Sequence, residues 1–300
     1  YLSHVNGDGM EHRNSTILTN TSSFQQSNFG QIGTLSHEFL HAWNVERIRP
    51  KSLEPFNFKG SNMSEALWFA EGFTSYYGPL TIKRGGVTSL DQYTNSLSGF
   101  VNYVTNVTGR KFFSPEDSSK MATFTDAGTS IDKTNFSNIF FSYYPYGQSV
   151  ALGLDLTIRS QFVGKDLDGY MRLMWTKYGI PEKPYLRDDP RITLGEYVGD
   201  QAFADDFFNK YVYSNEVPDY ATLLAYVGFE VTHPRADQPF VGNVSLSAND
   251  GTVSMNNTAK VGTAIYDAGV DQGDEIISLD GQNITSKADW DSAVAALTIG

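Results

Sequence analysis

Polar and apolar positions are distributed differently along three stretches of the chain. Residues 1–32 are polar, rich in Ser, Thr, Asn and Gly, and read as strand and loop. Helical periodicity sets in near Thr34, an acceptable N-cap, and runs to about Asn44, with Arg49-Pro50 as the stop. A second helix is expected over about Ser64–Arg84, closed by Gly85-Gly86, and a third over about Ser89–Asn106. Residues 107–142 carry no clear period and read as a long loop region. Helices are expected again over about 147–163, 166–178, 201–213 and 219–227, so the stretch 33–228 is mostly helical.

The pattern changes after Pro234. Short β-rich runs, Gly251–Met255 and Glu275–Leu279, are separated by Gly, Asn and Asp, and a helix follows at about 286–297. The expected class is therefore α+β: a mostly helical domain over residues 1–233, then a small α+β module over 234–300, joined near His233-Pro234. No internal repeat or low-complexity tract is visible. The chain begins at Tyr1 without a starting Met and ends at Gly300 directly after an unfinished helical pattern, which reads as truncation at both ends. No signal peptide is visible in it.

Composition narrows the chemistry. A net charge of -12 without any basic run argues against a nucleic-acid partner or a charged membrane surface. No apolar stretch approaches a membrane span. There is no cysteine, so a disulfide framework and a thiolate metal site are both excluded, and any metal must be held by His, Asp or Glu.

His37-Glu38-Phe39-Leu40-His41 answers that requirement. On a helix, residues four apart lie one turn apart on one face, so His37 and His41 can reach a single ion. Glu38 lies about 100° around the helix, where it can reach a water rather than the metal. This is the H-E-x-x-H arrangement of zinc peptidases. Catalytic zinc usually has three protein ligands and one open position. Glu71, within the apolar run Leu67-Trp68-Phe69-Ala70-Glu71-Gly72-Phe73-Thr74, offers the third, because a carboxylate buried in such a segment needs a partner. The alternative is a Glu on an exposed face beside Glu65.

Three segments together resemble the glycyl aminopeptidase family: His37 to Asn44, Arg47-Ile48-Arg49-Pro50, and Leu67-Trp68 leading through Glu71-Gly72-Phe73-Thr74-Ser75-Tyr76-Tyr77. That family comprises bacterial metallopeptidases with a thermolysin-like (gluzincin) catalytic domain followed by a PDZ domain. The resemblance extends over nearly the whole chain. It implies one zinc held by His37, His41 and Glu71, with Glu38 as general base. It also implies that Gly9-Met10-Glu11 binds substrate: Glu11 holds the free α-amino group, and the nearby backbone aligns the peptide as an added strand. Asp8 departs from the Gly usual in those motifs. In Tyr143-Tyr144-Pro145-Tyr146-Gly147-Gln148, alignment on Gly147 implies Tyr144 as the oxyanion donor, with Tyr143 as the fallback; Tyr146 replaces the usual Lys. His12 is either near the site or structural, His4 and His233 have no motif partners, and Arg47 and Arg49 read as helix-end and packing residues.

Ala268-Gly269-Val270-Asp271-Gln272-Gly273-Asp274-Glu275-Ile276-Ile277-Ser278-Leu279-Asp280-Gly281 resembles a bacterial PDZ domain. Asp280-Gly281 would close a hairpin, and a helix over Ala288–Leu297 would line a groove for a peptide or protein C-terminus. The expected function is a zinc aminopeptidase acting on peptides in a periplasmic or secreted setting, and the family resemblance implies a preference for small N-terminal residues such as Gly or Ala. The competing readings are a zinc endopeptidase on the same scaffold and an inactive peptide-binding PDZ scaffold. Glu11 separates the first two, because an endopeptidase has no use for an amine anchor.

Overall fold

The computed structural model describes residues 8–23, 25, 26, 28, 30–125 and 135–299. His4 lies outside the described residues. The chain divides into two compact units, Tyr1–Thr129 with Phe141–Glu230, and Ser130–Phe140 with Val231–Gly300.

The first unit opens on an antiparallel hairpin, β1 (Asp8–His12) and β2 (Ser15–Thr19), in which Gly9 faces Leu18 and Glu11 faces Thr16. Exposure alternates along β1, with Gly9 and Glu11 turned inward and Asp8, Met10 and His12 outward. Helix α1 (Ile32–Leu40) ends earlier than its periodicity suggests. From His41 onward the backbone bonds tighten and then widen, Ala42 N donating to Phe39 O and Glu46 N to His41 O, so His41 to Arg47 form successive turns. Helix α2 (Leu67–Arg84) starts after Ser64, whose hydroxyl accepts from Ala66 N at 3.1 Å. Helix α3 (Leu90–Asn106) begins with a reciprocal capping box between Ser89 and Gln92.

The expected loop region is not featureless. It holds a 3₁₀ turn at Thr108–Lys111, then α4 (Pro115–Lys120), α5 (Ala122–Thr125) and α6 (Phe136–Ile139). Each is too short to show a period, although Ser114 followed by Pro115, Glu116 and Asp117 is a start signal for α4. Helix α7 (Tyr143–Gln161) follows its Ser142 cap and starts four residues before Gly147, with Pro145 in the tolerant first turn. Then come α8 (Leu167–Met174), a π turn at Trp175–Gly179, α9 (Asp189–Val198), α10 (Gln201–Tyr211) and α11 (Tyr220–Tyr226). Helix α9 is unexpected from periodicity, but Pro190 near its start and left-handed Gly199 at its end bracket it.

Helices α2 and α7 form the centre of this unit. Both are apolar on most of their circumference, as expected for helices covered on several sides. Phe69, Phe73, Tyr146, Val150 and Leu154 are buried with Tyr170, Met174 and Phe208. Asp155, also buried, accepts from the Tyr76 hydroxyl at 2.7 Å, Arg159 Nε at 3.0 Å and Leu167 N at 2.9 Å. Its charge is thus matched by a cation and two further donors.

The second unit contains β3 (Leu246–Asn249), β4 (Thr252–Met255), α12 (Ala264–Asp267), β5 (Ser278–Leu279), β6 (Gln282–Asn283) and α13 (Lys287–Ala295). Both its hairpins turn on Asp-Gly pairs with positive φ, 50° and 80° at Asp250 and Gly251, 48° and 75° at Asp280 and Gly281. That is the primed turn whose twist matches the flanking strands. Val253, Met255, Ile265, Ile276, Ile284 and Trp290 form its own core. The buried Asn138 of α6 belongs to this unit: its Nδ2 donates to Ala259 O at 2.8 Å and its Oδ1 accepts from Val261 N at 3.1 Å. No helix among the described residues is long and apolar enough to cross a membrane.

Candidate active site

Helix α1 presents His37 and, one turn on, His41 toward α2, where Glu71 sits one turn inside the helix start. Glu71 Oε2 lies 3.1 Å from His37 Nε2 and 3.2 Å from His41 Nε2, and the two Nε2 atoms are 3.0 Å apart. Four-coordinate zinc with bonds of 2.0–2.1 Å needs donor atoms about 3.3 Å apart, so this triangle is close to one face of the required tetrahedron. His41 Nδ1 is 2.7 Å from Asn44 O, an arrangement that puts the proton on Nδ1 and leaves the Nε2 lone pair for a metal. Two imidazole nitrogens and a carboxylate oxygen converging in this way call for a cation at their centre, and the donor set fits zinc.

Without a metal, the same convergence perturbs the groups strongly. Burial alone would lower the pKa of His41, but the hydrogen bond and charge of Glu71 outweigh it and raise the pKa to about 9. Burial would raise the pKa of Glu71, but the hydrogen bonds from His37 and His41 hold it down at about 2.

Glu38 occupies the other side of the site. It is buried, and burial pushes its pKa up against the lowering effect of His37 and His41, with Glu11 and Glu71 adding to the rise. Glu11, Glu38 and His41 offer ligand atoms that all lie within 4.8 Å of one another, as do His37, His41 and Glu71. Gly9 is pressed against Glu38: a Cβ there would stand 2.4 Å from Glu38 Oε1, so the strand lies that close only because the residue is glycine. Met10 turns its side chain to solvent, and its carbonyl accepts from Thr16 Oγ1 at 2.9 Å. Arg47 holds the hairpin to the end of α1, donating to Arg13 O at 3.1 Å and Asn14 Oδ1 at 3.0 Å.

Tyr144, in the first turn of α7, places its ring 6.1 Å from that of His37. Tyr143 stacks on it at 4.8 Å but is itself buried, and Tyr146 is fully buried against Phe141. Tyr144 is therefore the half-exposed tyrosine of this segment beside the histidines. His12 and His233 are exposed, and Arg49 pairs with Glu54 at 2.8 Å.

Three positioning residues have no signal in the spacing of the motif. Asn44, buried, donates from Nδ2 to Phe69 O at 3.0 Å and Ala70 O at 3.1 Å, the carbonyls just before Glu71. Thr74 donates to Asn44 O at 3.2 Å and to Ala70 O at 2.7 Å. Ser36 adds a bond to Gly78 O at 3.0 Å. These bonds fix α1 against α2 and hence the histidines against Glu71.

Residues 30–150 match the family described as M61 glycyl aminopeptidase. The crystal structure of an aminopeptidase N family protein from Idiomarina loihiensis superposes with a TM-score of 0.80 at 23% identity, covering 98% of this chain and 53% of that one. The chain thus shares that protein's fold and spans about half its length. No curated protein matches the chain.

Proposed function

With the M61 glycyl aminopeptidase family matched at residues 30–150, we propose that this chain is the catalytic part of a zinc aminopeptidase that releases small N-terminal residues from peptides. The carrying observation is the position of Glu38, with the His37–His41–Glu71 triangle on one side and the Glu11 carboxylate on the other.

Zinc bound by His37, His41 and Glu71 would supply a Lewis acid and lower the pKa of water from 15.7 to about 7. Glu38 accepts a proton from the attacking water and returns it to the leaving amine. Its raised pKa suits that exchange, because it brings the carboxyl closer to working pH. The Tyr144 hydroxyl donates to the tetrahedral oxyanion. A free peptide amine has a pKa of about 8 and is largely cationic at neutral pH, so Glu11 pairs with it and sets the cut one residue in. The backbone of Gly9 to Glu11 receives the peptide as an added strand.

The catalytic domain is read as thermolysin-like over 1–233. The module over 234–300, into which α6 also packs, is read as PDZ-like and able to take a peptide or protein C-terminus. A periplasmic or secreted setting fits this reading.

Paired substrates test the function. Zinc-loaded protein should cleave peptides with a free Gly or Ala terminus and leave their acetylated counterparts intact. Efficient internal cleavage of blocked peptides would instead support an endopeptidase. No hydrolysis of either, with one zinc bound, would leave only a peptide-binding scaffold.

A further inference from the structure

We infer that Gly9 is a positioning residue for the general base: by lacking a side chain, it leaves the space in which the Glu38 carboxylate sits. The inference rests on the proposed role of Glu38 and adds the residue that sets where its carboxylate stands.

Strand β1 turns Gly9 inward, onto the helix that carries Glu38. A Cβ on Gly9 would stand 2.4 Å from Glu38 Oε1, 2.6 Å from its Cδ and 2.7 Å from its Cγ. The crowding runs from Cγ to the oxygen, so turning the carboxylate about its last bond does not relieve it. Carbon atoms in ordinary contact lie about 3.5 Å apart, so a methyl here demands a relative shift on the order of 1 Å.

The shift falls on Glu38, because the hairpin is fastened to α1 at both ends of that helix. Before its first turn, Gln31 Nε2 donates to Thr19 O at 2.5 Å. Beyond its last turn, Arg47 donates to Arg13 O at 3.1 Å, to Asn14 Oδ1 at 3.0 Å and back to Ala42 O at 2.5 Å. Within the hairpin Gly9 is paired with Leu18, and Thr16 Oγ1 donates to Met10 O at 2.9 Å. The Glu38 carboxylate, by contrast, accepts no hydrogen bond among the described residues and is held by burial and by the charges around it. None of the crowded atoms belongs to His37, His41 or Glu71, so the metal-ligand triangle is left alone. A general base must come within about 2.6–3.2 Å of the proton it takes, directly or through one water, and a displacement on the order of 1 Å removes it from that reach. This need for glycine is separate from the peptide-receiving role of the strand, which uses backbone N–H and C=O groups rather than the Cβ direction.

Gly9→Ala is predicted to bind one zinc per chain as the parent does, to keep KM within a few-fold, and to lose about 10²-fold in kcat, the typical result of a 1 Å misplacement. A methyl that disturbed the added strand would instead raise KM and spare kcat, and that result would overturn the inference. Gly33→Ala, on the same helix as Glu38, is the control: a Cβ there meets nothing within 4 Å, and kcat should hold.

A double-mutant cycle with Glu38→Gln decides the matter. Glu38→Gln keeps the size of the side chain and abolishes the base, so adding Gly9→Ala to it should lower the residual rate little further. If Glu38→Gln is as active as the parent, the role of Glu38 fails and the inference with it. If Glu38→Gln is slow but Gly9→Ala is as fast as the parent, or costs its full factor again in the Gln background, the positioning role is wrong while that of Glu38 stands. Loss of zinc in Gly9→Ala, or an equal loss of kcat in Gly33→Ala, also overturns the inference. So does a Gly9→Ala protein that fails to fold, because the methyl would then have moved the hairpin rather than the base.

Discussion

Glu38 is the residue whose surroundings are most demanding. It shares a buried neighbourhood with two histidines and two other carboxylates, yet it is not one of the three residues whose donor atoms close into the His37–His41–Glu71 triangle. Glu38→Gln removes the proposed base and leaves those three donors alone. Turnover should fall by about 10²–10⁴-fold, with one zinc still bound per chain. Metal analysis beside a rate assay reads both at once, and a fully active Gln variant would remove Glu38 from the mechanism. The metal-free protein should also show a pH signature. His41, raised from 6.5 to about 9, contributes stability that is complete below pH 6.5 and lost as pH rises through 9. Glu71, lowered from 4.5 to about 2, contributes stability that is complete above pH 4.5 and lost as pH falls through 2. In chelator, Tm should therefore decline as pH rises from 6.5 to 9. With zinc in place of the proton that decline should disappear. An unchanged slope would mean that zinc does not displace the proton on His41.

At the scale of elements, the join between α1 and α2 depends on a side chain at the end of one and carbonyls near the start of the other. Asn44→Ala removes both amide donations to Phe69 O and Ala70 O. Losing such support behind a metal ligand typically costs 10–100-fold in metal affinity. A chelator competition titration should show that drop, while Arg49→Ala, whose partner Glu54 lies away from the histidines, should bind zinc as the parent does. The same join shows where sequence reading stops. His37 and His41 could be placed on one face because four residues make one turn, a purely local rule. That Asn44 reaches 25 and 26 residues ahead, or that Gly72 meets Gly147, depends on how distant elements pack, and no local period encodes it. The short α4 and α5 escaped notice for a different reason, since one or two turns cannot display periodicity. Helix α9 had its start and stop residues in plain view, but its apolar face is weakly patterned because several sides of it are covered.

For the whole molecule, each unit has its own apolar core, and the His37–His41–Glu71 triangle lies in the first. Calorimetry should accordingly show a zinc-dependent transition and a zinc-independent one. A ligand present at 100 times its Kd stabilises the state that binds it by about 2.7 kcal/mol, so the first transition should move by several degrees. A single transition that moves as one would show that the two cores unfold together. One hairpin of the second unit could be read from Asp280-Gly281, because the turn that pair makes is dictated locally. The unit's membership could not: nothing in the composition of residues 135–140 distinguishes them from their neighbours.

That membership has a practical consequence through Asn138. The side-chain amide pairs with the carbonyl of Ala259 and the amide of Val261, satisfying two backbone groups of a segment that forms no strand of its own. The polypeptide thus makes an excursion: it leaves one body, contributes a few residues to another, and returns before the second is fully synthesised. A protease that nicks near residue 231 separates the covalent chain but leaves Asn138 holding the released piece. The two fragments should migrate together under native conditions and part only in denaturant, and Asn138→Ala should let them separate more readily. For the same reason, a C-terminal piece beginning at residue 231 and expressed alone lacks a buried partner of its own backbone, and a genetic boundary drawn there cuts through a unit rather than between two.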